Sequence, residues 1–194
     1  MLKFKATNMQ DKFSKKARIE GYKARSVYKL QDLDKKYKLI KKNQKILDLG
    51  CWPGSWLQYC QNKLGNTGLI LGIDKQEILG LDVNFLKKDV MDKDIISEIR
   101  KISVDFDLVL SDLAPKTTGT LDSDLSLDLS NRALYIAENV LRYKGNFLVK
   151  IFQGKDTNKF IEKLKKKFRF VKSTKPMASK KTSKEIYIIC LLKR

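Results

Sequence analysis

The apolar positions of this chain fall into short runs separated by stretches of helical period. The runs predict strands at Lys45–Leu49, Leu69–Asp74, Val83–Leu86, Phe106–Ser111, Asn146–Phe152, Phe168–Lys172 and Glu185–Leu192. Between them, steps of three and four predict helices. Over residues 24–40 the pattern is carried by Val27, Leu30, Leu33 and Tyr37. Further helices are expected at Ser55–Leu64, Lys93–Ile102, Asp124–Tyr143 and Thr157–Lys167. Gly145 stands just past the fourth of these five, where a helix stop belongs. Residues 1–20 read as a polar, basic arm, and Lys116–Asp122 as a mobile Thr/Gly-rich loop.

Seven strands with helices between them predict an α/β fold, an open sheet with helices on both faces. The last two strands have no helical pattern between them. Ser173–Ser183, a Lys/Ser/Thr loop broken by Pro176, joins them directly. A direct connection implies an antiparallel pair, so the sheet should be mixed. No repeat or second core is visible, so residues 1–194 are expected to form one domain.

Composition sharpens this picture through its distribution. The formal charge is +19. Residues 1–45 hold 15 basic against 4 acidic residues, residues 155–194 hold 14 against 3, and the middle holds 12 against 15. Two basic ends flanking a slightly acidic centre point to a polyanionic partner, of which nucleic acid is the usual one. No apolar run reaches the roughly 18 to 20 residues a membrane span needs, so no membrane partner is expected. The chain has no histidine, and Cys51, Cys60 and Cys190 form no C-x-x-C pair. That removes the usual zinc-ligand sets, so no metal is expected, and it removes Ser-His-Asp and Cys-His chemistry. Acid–base work must fall to Lys, Asp, Glu or Tyr. Sparse, odd cysteines suit a reducing compartment, cytoplasmic or organellar. The basic N-terminus does not read as a clean secretory signal peptide, since no apolar segment follows Met1; its lysines could suggest an organelle presequence and read more simply as part of the basic face.

The strand ending in Asp48-Leu49-Gly50, with Gly54 opening a helix, reads as a nucleoside-binding turn. It lacks the Lys-Ser/Thr of a phosphate loop. It also lacks G-x-G-x-x-G, since Cys51-Trp52-Pro53 fill the middle and oppose close approach of a pyrophosphate. A cofactor without phosphates fits better, such as S-adenosylmethionine. Asp74 ends the second strand, where a carboxylate grips ribose hydroxyls. Asp89, beyond the third, is placed to accept from an adenine amino group.

Four segments then carry candidate chemistry: Arg25-Ser26-Val27-Tyr28-Lys29-Leu30, Ser111-Asp112-Leu113-Ala114-Pro115, Val149-Lys150-Ile151-Phe152-Gln153-Gly154 and Ser183-Lys184-Glu185-Ile186-Tyr187. Each supplies one charged residue: Lys29, Asp112, Lys150 and Glu185. Lys150 lies inside an apolar strand, where desolvating an ammonium is costly. Asp112 ends the fourth strand, beside the crevice where α/β sheets bind ligands. A lysine–acid–lysine–acid cluster is suited to deprotonating a poorly acidic hydroxyl.

In these segments the chain resembles the FtsJ/RrmJ family of RNA ribose 2′-O-methyltransferases, from about Asp11 to the end. The resemblance implies a Rossmann-like S-adenosylmethionine-dependent methyltransferase fold with a seven-stranded mixed sheet. It places the family's catalytic tetrad on Lys29, Asp112, Lys150 and Glu185. Its cofactor motif falls on Asp48, Gly50, Pro53, Gly54 and Trp56, with Asp74, Asp89 and Asp112 completing the cofactor contacts. Lys150 is then the base, Asp112 orients it and faces the sulfonium, and Lys29 and Glu185 position the ribose. V-K-I-F-Q-G is more similar to the branch acting on large-subunit ribosomal RNA than to the tRNA branch. The implied substrate is a uridine of that RNA, free or in a large ribosomal subunit particle, and the implied enzyme is a monomer. Two departures stand out. Cys51 and Trp52 replace the usual small residues after Gly50, and Lys116 stands where Asn is common. The rival readings are a tRNA or cap 2′-O-methyltransferase and a non-catalytic RNA-binding assembly factor. A nicotinamide oxidoreductase is disfavoured by the missing glycine pattern.

Overall fold

A computed structural model describes residues 12–115, 122–180 and 182–194. The elements run α1 (residues 12–19), α2 (Val27–Tyr37), β1 (Lys45–Leu49), α3 (Ser55–Leu64), β2 (Leu69–Asp74), β3 (Asn84–Lys87), α4 (Ile95–Ile102), β4 (Phe106–Ser111), α5 (Asp122–Val140), β5 (Leu141–Phe152), α6 (Thr157–Lys167), β6 (Phe168–Thr174) and β7 (Glu185–Lys193). The strands form one sheet in the order β3-β2-β1-β4-β5-β7-β6. The first five are parallel, and β7 runs antiparallel to both β5 and β6. The mixed sheet expected from the helix-free final pair is therefore present.

Side-chain alternation along the strands divides the core in two. Leu47, Ile73, Val109, Phe147, Val149 and Ile188 face α4, α5 and α6, meeting Ile99, Leu134 and Phe160. Ile46, Leu110, Leu148, Tyr187 and Ile189 face α2 and α3, meeting Val27, Leu30, Leu33 and Leu57. Asp48, Asp112, Lys150 and Glu185 share the parity of this second set. Alternation thus directs all four toward the α2/α3 face.

Three expectations need correction. The basic arm is not unstructured throughout, because residues 12–19 form α1. Ala17 is buried against the α2/α3 core and Phe13 packs on it, with its ring 5.3 Å from that of Tyr28. Residues 1–11 and Lys116–Leu121 lie outside the described residues. Second, α2 is shorter than its apolar pattern. Lys38 takes a left-handed φ of 52° and its N–H bonds to the Asp34 carbonyl, which ends the helix. Leu39 and Ile40 are buried on the following turn, which extends the pattern without extending the helix. The Asp34 carboxylate holds that turn, accepting from the Ile40 N–H and the Tyr59 hydroxyl, each at 2.8 Å.

Third, Gly145 is no helix stop. Helix α5 ends at Val140, and Lys144 rather than Gly145 takes the left-handed conformation. The start of β5 bulges past β4, since Phe106 pairs with Leu141 but Leu108 pairs with Asn146. The slack lets β5 enter its register. From there Ser111 lies opposite Val149, and Asp112 and Lys150 follow one residue beyond. No helix among the described residues is long and apolar enough to cross a membrane.

Candidate active site

The ends of the parallel strands β1 and β4 line one crevice with the starts of α2 and α3. Ser26, Asp48, Gly50, Cys51, Trp52, Ser55, Trp56 and Asp112 form its walls. The turn after β1 needs its glycines. Gly50 has φ +74°, and a Cβ there would lie 2.6 Å from Leu113 Cδ2. Gly54 has φ +104° and caps α3, with Leu81 2.8 Å from the same imagined atom. Any side chain would thus be strained twice, by backbone and by contact. Pro53 follows a cis peptide bond to Trp52. Trp56 is buried, and its indole N–H donates to the Ser26 carbonyl at 2.9 Å. Ser26 Oγ also lies 2.9 Å from Ser55 Oγ. These two bonds fasten the cofactor turn to the start of α2, the helix that carries Lys29.

The sequence-predicted tetrad assembles as two ion pairs. Lys150 Nζ lies 3.0 Å from Asp112 Oδ1 and donates to the Asp112 carbonyl oxygen at 2.6 Å. Lys29 Nζ contacts both Glu185 carboxylate oxygens at 2.8 Å. Tyr187 links the pairs. It sits opposite Lys150 in the β5–β7 register. Its hydroxyl donates to Asp112 Oδ1 at 2.7 Å, and Lys29 Nζ stands 5.7 Å from the centre of its ring. Ser179 Oγ donates to Glu185 Oε1 at 2.8 Å and fixes the far side of that carboxylate.

Electrostatics follow from this packing. Burial pushes the Asp112 carboxyl upward, but Lys150, Lys29 and the Tyr187 hydroxyl outweigh it and hold the group below the usual carboxylate value. Asp112 is therefore ionised at neutral pH. Burial, followed by the charges of Asp112 and Glu185, drives Tyr187 well above its ordinary value, so it remains a donor. Tyr187 and Ser179 are participants that sequence reasoning missed. For Tyr187 the signal was available: it follows Glu185 by two in a strand and must share its face.

Asp48 differs from the other acids. It is fully buried, and neither carboxylate oxygen has a hydrogen-bond partner. Burial first, then the neighbouring Asp112 and Asp74, drive its carboxyl well above the usual range. A buried, partnerless carboxyl beside a second carboxylate suits a cationic ligand, which supplies the missing partner. Asp74, at the end of β2, accepts from the Trp52 N–H at 3.0 Å and the Gln76 N–H at 2.8 Å. It sits where a ribose-gripping acid was expected. Asp89 pairs with Lys75 and accepts from the Met91 N–H at 3.0 Å. Burial raises its carboxyl, but Lys75 and the Met91 N–H outweigh this and bring it below the usual value. Its oxygens are thus already engaged by Lys75 and the backbone.

Residues 22–193 match the FtsJ-like methyltransferase family. The ribosomal RNA large subunit methyltransferase E of Desulfotalea psychrophila is 38% identical over 191 residues, covering 94% of this chain and 95% of its own. The protein of the same name from Methanothermobacter thermautotrophicus is 40% identical, covering 96% and 92%. A crystal structure of a ribosomal RNA methyltransferase from Plasmodium falciparum superposes with a TM-score of 0.80 at 33% identity, over 89% of this chain and all of that one. An rRNA-methylase structure from Clostridium thermocellum, 20% identical with a TM-score of 0.58, shares the fold. The seven-stranded mixed sheet, the two ion pairs at its strand ends and these matches lead to one conclusion: the chain belongs to the FtsJ-like methyltransferase family.

Proposed function

We propose that this enzyme transfers a methyl group from S-adenosylmethionine to a ribose 2′-hydroxyl of large-subunit ribosomal RNA, with a uridine as the target. The observation that carries the reading is the Lys150–Asp112–Tyr187 cluster, placed beside the crevice that holds the partnerless Asp48 carboxyl. The names of its relatives support ribosomal RNA as substrate.

The residues divide the work by charge. S-adenosylmethionine, when bound, supplies a methyl group on a positively charged sulfur. Asp112 gives the crevice its negative charge, and the buried Asp48 carboxyl is a second group that such a cation, with its ammonium, would hold ionised. The backbone turn at Gly50–Gly54 and the carboxylate of Asp74 hold its remaining polar groups. Lys150 would accept the 2′-hydroxyl proton at Nζ. Asp112 fixes that amine through two contacts, one from its side chain and one from its main chain. Lys29 and Glu185, locked together, present a donor and an acceptor to the ribose. A base acts here only as the neutral amine. The two ion pairs restrict the side chains that would orient the ribose hydroxyl. One chain carries every one of these groups, which supports a monomeric enzyme.

The test is methyl transfer by the purified protein to ribosomal RNA and to tRNA from cells lacking it, with 2′-O-methyl positions mapped in both. A new mark on a large-subunit uridine is the expected result. Marks on tRNA alone would transfer the reading to the rival branch, and none at all would remove it.

A further inference from the structure

The two basic ends of the chain meet on one surface away from the tetrad. Helix α2 lies over the outer strands of the sheet. Its first turn is tied to β7 by the Lys29–Glu185 pair, and its last residue packs on β6, where the Tyr37 and Phe170 rings are 6.5 Å apart. Phe170 is 43% exposed. Lys36 Nζ stands 5.4 Å from the centre of the Tyr37 ring. Lys172 follows Phe170 by two along β6 and so shares its face. Lys36 follows Lys29 by seven, on the same stripe of α2 and about 10 Å farther along the axis.

We infer that the Tyr37–Phe170 shelf, flanked by Lys36 and Lys172, anchors a single-stranded stretch of the substrate RNA beside the target nucleotide. This rests on the RNA methyltransferase reading above. Three features favour RNA over a protein strand on the exposed edge of β6. Residues 163–184, which run from the end of α6 through β6 into the following loop, hold ten Lys or Arg and no Asp or Glu, so this basic, acid-poor segment is matched by a phosphate-bearing partner. The nearest carboxylates on α2 are occupied: Asp34 is buried on its turn, and Asp32 accepts the Met177 N–H at 3.2 Å. An aromatic surface between cations is the arrangement on which unpaired bases stack while phosphates meet lysines. The position of Lys35 and Lys36 in the last turn of α2 also suits the helix dipole. The dipole accounts for neither Phe170 nor Lys172.

The experiment is fluorescence anisotropy with a labelled single-stranded RNA oligonucleotide and with its fully paired duplex, across a salt series. Phe170→Ala should weaken single-strand binding roughly tenfold, the loss of one stacked base, and leave duplex binding unchanged. Phe170→Trp should retain wild-type binding, which separates stacking from folding. Lys36→Glu with Lys172→Glu should reduce the salt slope by about two. In methyl transfer, Phe170→Ala should raise KM for RNA and leave kcat unaltered at saturation. Single-strand binding by Phe170→Ala equal to wild type would overturn the inference, as would equal losses for duplex and single strand. Absence of methyl transfer by the wild-type protein would instead overturn the functional reading, and the anisotropy results would stand apart from it.

Discussion

Lys150 is bound to Asp112 twice, through the carboxylate at 3.0 Å and the main-chain oxygen at 2.6 Å. The second contact survives any substitution of the Asp112 side chain. Asp112→Asn should therefore leave the ammonium near its place while removing the charge that balances it. Lys150 is only 6% exposed, so the variant buries an unpaired cation. A stability loss of about 3 kcal/mol is expected, measured by urea denaturation, together with loss of methyl transfer. A variant as stable as wild type would mean that the Asp112 charge is not what compensates Lys150.

Lys150→Ala should abolish methyl transfer and leave cofactor and RNA binding within a few-fold. Lys150→Arg should fail as well, because a guanidinium stays protonated and cannot accept the 2′-hydroxyl proton. Near-normal turnover by the arginine variant would end the assignment of Lys150 as base.

Asp48 predicts a pH effect on stability. Its folded carboxyl is raised by burial and by Asp112 and Asp74. The stability it lends is thus complete below the ordinary carboxylate value and is lost as pH rises through the raised one. Asp48→Asn carries no such loss. The ligand-free variant should melt above wild type, by a margin that widens from mildly acidic to alkaline buffer. Added S-adenosylmethionine should raise the wild-type melting temperature more than that of the variant, since only the carboxylate attracts its cationic groups. A constant margin across pH would show that the folded Asp48 carboxyl is not raised into that range.

Asp74→Ala removes the acceptor of two backbone N–H groups and the expected ribose contact. Cofactor affinity should fall by about 1–3 kcal/mol, read by calorimetry. Unaltered affinity would remove Asp74 from the site.

Charge neutralisation at Lys12, Lys15 and Arg18 should flatten the salt dependence of RNA binding and spare cofactor affinity. Lys16 is best retained in this variant, because it lies over the Tyr28 ring at 4.8 Å and pairs with Glu20 at 3.6 Å. A salt slope like that of wild type would assign these residues to composition rather than to RNA contact.

The strands were the most legible part of this chain. Lys45–Leu49, Leu69–Asp74 and Phe106–Ser111 end where the apolar run ends, because each is buried on both faces. Asp112 and Lys150 stood out because one follows the end of an apolar strand and the other interrupts one, while Lys29 and Glu185 stood out only through segments that resemble the family. What escaped was anything decided by tertiary contact. The burial of Ala17 that seats α1, the bulge at Lys144 and the link through Tyr187 depend on neighbours distant in sequence. Trp56 was read as a cofactor residue. Its buried indole is bonded to the Ser26 carbonyl, a structural tie that no local pattern announces.

The place of β7 in the sheet has a consequence for biosynthesis. This strand is made after β5 and β6, yet it lies between them, and it carries both Glu185 and Tyr187. A nascent chain can complete the parallel half of the sheet and the cofactor turn while still attached to the ribosome. It cannot close the gap beside β5, or join the Lys29 side of the site to the Lys150 side, until residues 185–193 have emerged. In a growing chain the residues of the crevice are thus made before Glu185 and Tyr187, and the last of the seven strands to be made is the one that joins β5 to β6.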